Sequence, residues 1–146
     1  MKHTRFFVRP FVLLLCTVLL ALFCLSSCQK EPPLVVKDSD TCIVIRTTEA
    51  SISQPDMLLL EYMEQLRGDG KLMFDTKDGM VVSINGIENA ADYSEVWMLY
   101  TSDEEQSNSI WGTVEYDGNV YGSAVLGAET LKIKPNCLYI WVYKPF

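Results

Sequence analysis

The sequence predicts an α+β domain: a mixed β-sheet with one helix packed across one face and an inserted β-hairpin. Three observations carry that prediction. Cys137 to Tyr143 is an unbroken apolar and aromatic run, Leu59, Leu60, Met63 and Leu66 recur at helical spacing, and several short alternating runs are separated by Asp-Gly or Asn-Gly pairs. A strand apolar on both faces needs cover on both, so the run from Cys137 reads as a central strand. The helix then has to lie across one of its faces.

Taken in order, the chain opens with Lys2, Arg5 and Arg9, an apolar run from Phe11 to Leu25, and Leu25-Ser26-Ser27-Cys28. Basic start, apolar core and small residues define a signal peptide over residues 1–27. Its end resembles the lipobox of bacterial lipoproteins, in which cleavage before the cysteine leaves a sulfur that carries diacylglycerol. Cys28 is then the lipidation site, and two acyl chains give durable anchoring where one is marginal. Cys16 and Cys24 read as small hydrophobes within the run. Residues 28–40, with Pro32-Pro33 and several charges, read as a tether, and the domain proper spans residues 41–146. The expected location is the extracytoplasmic side of a cell membrane.

Thr41 to Thr48 alternates and predicts the first strand. Ser53-Gln54-Pro55-Asp56 matches a capping signature and predicts that the helix starts there, while Gly68-Asp69-Gly70 ends it. Its apolar stripe is expected on Leu138, Ile140 and Val142. A helical link also permits the first and last strands to run parallel as neighbours. Leu72-Met73-Phe74 is a brief strand, Asp75 to Gly79 a turn, and Met80 to Ile84 a strand burying Met80, Val82 and Ile84. Asp75 and Asp78 supply too few oxygens for calcium, so no metal site is expected. Val96 to Tyr100 is the next strand.

Capped helix, Ser83-Ile84-Asn85-Gly86-Ile87, Trp97-Met98-Leu99-Tyr100 and a final strand ending Trp141-Val142-Tyr143 follow one another in this order. The order resembles the transcobalamin-like C-terminal domain family, over roughly Thr41 to Phe146. The resemblance implies a β-grasp-like domain of the soluble-ligand-binding group, and it brings in cobalamin as a ligand class. The residues themselves call for no cofactor.

Thr101 to Ser109, with Asp103-Glu104-Glu105, reads as a solvated loop. Asp117-Gly118 between Val114-Glu115-Tyr116 and Asn119-Val120-Tyr121 signals a two-residue hairpin. Leu131-Lys132-Ile133 is a short strand leading to the last one. Cys42 and Cys137 both begin strands placed side by side. A disulfide between them is one reading and two buried free thiols the other.

The chain carries 12 basic and 19 acidic side chains; losing the leader takes three of the basic ones and leaves a net charge of −10. Nucleic acid is thereby excluded as a partner. The sole histidine, His3, lies in the leader, so His-based nucleophile pairs are absent from the mature chain and no enzyme is expected. The aromatic set Tyr139, Trp141 and Tyr143, with Trp97 and Tyr100 from a neighbouring strand, is the candidate ligand face for a small molecule, glycan or surface protein. Trp111, Tyr116 and Tyr121 could instead cover it. The function expected is a membrane-anchored, non-catalytic binding module; the alternative is a structural subunit docking on a larger cell-surface or transport complex.

Overall fold

A computed structural model describes residues 34–146. The leader, the Cys28 anchor and the start of the tether lie outside the described residues. The elements are β1 (Val35–Ser39), β2 (Cys42–Arg46), α1 (Leu59–Gly68), β3 (Phe74–Lys77), β4 (Met80–Ile84), β5 (Ile87–Glu88), β6 (Glu95–Thr101), β7 (Ser107–Tyr116), β8 (Asn119–Ala124) and β9 (Leu138–Pro145). β1 pairs with β2 and occupies part of the stretch read as tether, so the spacer is shorter than expected. No helix among the described residues is long and apolar enough to cross a membrane.

The fold is α+β. Six strands form one sheet in the order β1-β2-β9-β6-β8-β7, and β3-β4-β5 form a second. β9 lies inside the large sheet, paired with β2 from Cys42↔Val142 to Arg46↔Leu138 and with β6 from Glu95↔Pro145 to Thr101↔Tyr139. Both sheets are antiparallel throughout, which corrects the expected mixed sheet. α1 is not a crossover between two neighbouring strands; it links β2 to the second sheet, and the chain re-enters beside Arg46. Thr47 fixes that entry: its N–H donates to Cys137 O at 3.0 Å, its hydroxyl to Lys134 O at 2.5 Å, and its Oγ1 accepts from Cys137 N at 3.1 Å.

α1 starts later than the capping signature suggests. Asp56 is in the left-handed region (φ 60°), and residues 57–59 are extended against 131–133, with Ile133 N–H donating to Met57 O and Leu59 N–H to Leu131 O. The helix begins only at Leu59, where the Glu61 carboxylate accepts the Leu58 N–H at 2.9 Å. It stops as predicted, with Asp69 at the cap and Gly70 at φ 69°.

The two faces of the large sheet are the reverse of those expected. α1 buries Leu59, Tyr62, Met63 and Leu66 in one cluster with Ile43, Ile45, Trp97, Leu99, Tyr139 and Trp141, so the helix lies over the aromatic side of β9. The wide rings fill the layer between helix and sheet, and their polar tips are satisfied at its margin: the Tyr139 hydroxyl accepts from Lys134 N–H at 2.9 Å, and Tyr62 donates to Arg46 O at 3.1 Å. Burial pushes the Tyr139 phenol up to about 12, against the pull of that hydrogen bond. On the opposite face Val44, Tyr100 and Ile140 are covered by Val114, Tyr116 and Tyr121 of the β7–β8 hairpin. The hairpin turns at Asp117-Gly118, both at positive φ, as its sequence predicts.

Two further expectations change. A register shift between Asp75 and Thr76 reverses the parity of β4, so Val81 and Ile84 are buried while Met80 is exposed. Thr101 to Ser109 is not a solvated loop: Asp103 is buried, caps the turn Glu104–Gln106 through Glu105 N–H, and takes the Lys134 ammonium at 3.0 Å. Burial raises the Asp103 pKa, but hydrogen bonds from Gln106, Lys134 and the Glu105 N–H outweigh it and hold the carboxyl below its ordinary range.

Candidate functional site: a groove along the open half of β6

The aromatic residues expected to form a ligand face do not form one. Tyr100 and Tyr139 are fully buried and lie in different layers, Tyr100 under the hairpin and Tyr139 under α1. Tyr143 is half-buried against Trp97, with ring centroids 5.5 Å apart. Trp97 and Trp141 are 5 % and 4 % exposed, and these two alone of the five border an open groove of about 690 Å³.

The groove exists because the sheet is incomplete there. β9 follows β6 along its whole length, but β8 pairs with β6 only at Tyr100↔Ser123 and Thr101↔Gly122. Beyond Ala124 the chain turns away through Val125 and Leu126. β7 is irregular between Asn108 and Thr113, and the break carries Trp111 outward, where its ring stacks on Phe146 at 5.9 Å and 23°. The first half of β6 is thereby left as a floor, walled by Met80 from the β3–β4 turn, by residues 123–130, by Tyr93 and by the Trp111–Phe146 pair.

Apolar exposure concentrates here. Of nine large hydrophobic side chains exposed among the described residues, six border this groove: Met80, Tyr93, Trp111, Val125, Leu126 and Phe146. That clustering separates it from the scatter of single apolar residues found on any surface. Asn89 seals part of the floor, its Oδ1 accepting the Trp97 N–H at 2.8 Å, and the Trp97 indole donates to Ile87 O at 2.8 Å. The Trp141 indole Nε1 is buried and finds no hydrogen-bond partner among the described residues. Glu129 is the sole charged side chain lining the groove. Such a surface can hold an apolar molecule and orient it by one donor; it assembles no nucleophile with a base.

The cysteines are not bridged. Both are free, and the antiparallel register sets them at opposite ends of the β2–β9 pair, Cys42 facing Val142 and Cys137 just before the residue that faces Arg46. Five residues of strand, about 17 Å, separate those levels, well beyond the reach of a disulfide. Burial pushes both thiols up, with Asp38 adding to it at Cys42. Among the described residues no group of three or more His, Cys, Asp or Glu side chains could hold a metal ion.

Sequence reasoning missed Met80, Tyr93, Val125, Leu126 and Phe146. The small-residue stretch Gly122 to Gly127 was the available signal. Gly122 leaves no room for a Cβ, because the Asn108 backbone carbonyl lies against it where β7 loses register. Comparison of the chain with family models, with curated proteins and with solved structures finds no match in any of the three.

Proposed function

We propose that the protein is a membrane-anchored, extracytoplasmic, non-catalytic binding module that takes its ligand in the groove along β6. The convergence of six exposed hydrophobic side chains on one concavity carries this reading. The leader sequence and Cys28 support the address, and the single helix lying across a sheet with β9 inside it supports the β-grasp-like, transcobalamin-like reading of the domain. The volume lies within the range of small-molecule sites, which favours a small ligand over a broad protein partner.

Thermal-shift screening of the full chain in lipid nanodiscs tests this, using apolar ring compounds, corrinoids, sugars and peptides. A saturable rise in Tm with one class, abolished by Met80→Glu together with Leu126→Glu, is the expected result. A rise that survives both substitutions removes the groove from the function. Binding of proteins with no small molecule effective would favour the docking-subunit alternative.

A further inference from the structure

We infer that the ligand is a flat apolar ring system, uncharged or cationic, that carries a hydrogen-bond acceptor for the Trp141 indole. This deepens the binding reading above and rests on it. Two tryptophans border the floor, and their donors differ. The Trp97 Nε1–H is consumed by Ile87 O at 2.8 Å, a bond internal to the fold. The Trp141 Nε1–H is buried without a partner among the described residues, in a side chain that is 4 % exposed and borders the groove. Buried donors in native proteins are almost always satisfied, so an orphan beside a cavity identifies the group an occupant has to bring.

Shape and charge narrow the class further. Trp111 and Phe146 stand stacked and more than half exposed at one end of the groove, with Tyr93 beside them, so the wall offers ring faces and edges to a planar guest. No lysine or arginine lines the cavity, whereas Glu129 does, held over Gly79 so closely that the glycine has no space for a Cβ. An anion would meet that carboxylate without any countercharge, while a neutral molecule loses nothing by it and a cation gains from both the carboxylate and the rings. Fatty acids and other carboxylates are thereby excluded.

The test uses the full chain in lipid nanodiscs with isotope-labelled indoles, and three probes of one shape: naphthalene, acetonaphthone and naphthoate. Acetonaphthone should move the Trp141 indole N–H resonance downfield and leave that of Trp97 in place. Benzothienylalanine at position 141 keeps the ring shape and lacks the N–H. It should weaken acetonaphthone about tenfold, the worth of one hydrogen bond, and leave naphthalene within about twofold. Comparing the two proteins probe by probe cancels each compound's own partition into lipid. Naphthoate should bind weakest, and Glu129→Gln should improve it about fivefold, the scale of one unscreened charge contact. If the isostere leaves acetonaphthone unchanged while the probes still bind, the ligand class is overturned and the binding reading stands. If no groove resonance responds to any probe, class and groove both fall. Shifts that depend on protein concentration alone would make a second copy of the chain the occupant and overturn the inference.

Discussion

The two halves of β6 make an instructive contrast. Both are paired with β9 in one continuous register. At Tyr100 and Thr101 the strand also has β8 on its other side, and these residues are shut in, Tyr100 beneath the hairpin and Thr101 with its hydroxyl accepting the Asp103 N–H. From Val96 to Leu99 β8 has departed, and the same strand becomes the floor of an apolar groove. Residue type hardly changes across the boundary; what changes is whether a neighbour is present. The site is thus a product of a sheet left unfinished, set by the irregularity in β7 and by Gly122, rather than of a distinctive set of side chains.

The largest effect that would test this contrast belongs to the closed half. Tyr100→Ala should cost about 3–5 kcal/mol, as for other large buried aromatics, in urea unfolding. A loss under about 1 kcal/mol would mean the half read as closed is not packed. Gly122→Ala comes next, at about 1–3 kcal/mol, because the added methyl collides with backbone that cannot swing aside as a side chain could. It should also alter the emission of the groove tryptophans, since it forces β7 and β8 apart where the groove begins.

Asp103 tests the corner that holds the closed half together, and Asp103→Asn should cost about 1 kcal/mol at neutral pH. Its carboxyl is held below the ordinary value of 3.8, so the stability it contributes is fully present above that value and is lost as pH falls through the lowered one. The wild type should therefore lose stability more steeply than the variant in acid below that pH, and parallel profiles would contradict the assignment. Smallest is Trp111→Ala on the open side, within about 0.5 kcal/mol of wild type because the ring is mostly exposed. Ring-shaped ligands should nonetheless bind the variant more weakly, which separates recognition from stability.

How much of this was readable in the chain depends on the range of the interaction. Gly68-Asp69-Gly70 and Asp117-Gly118 act through their own backbone, and both the helix end and the hairpin turn stand where those residues predict. The apolar run at Leu138 to Tyr143 announced a covered strand correctly, but each of its faces is hydrophobic, so parity could not say which one receives the helix. Met80 and Val81 exchanged roles because a register shift five residues earlier is invisible to a period-2 count. The acids from Asp103 to Glu105 read as solvated because Lys134, the partner that buries the first of them, lies 31 positions away. The groove was hardest of all. Its walls come from separate segments, and two of them depend on strand irregularities that no local pattern encodes.

The position of β9 also has a kinetic consequence. Ile43 faces Trp141, 98 residues further along, whereas the β7–β8 hairpin and α1 close over a few residues each. Helix and hairpin can therefore form within microseconds, while the inner seam between β2 and β6 waits for a long excursion to close. Until it does, Ile43, Ile45, Trp97 and Leu99 stand on two uncapped strand edges, and it is that interval, more than the finished molecule, in which the chain is most exposed to self-association.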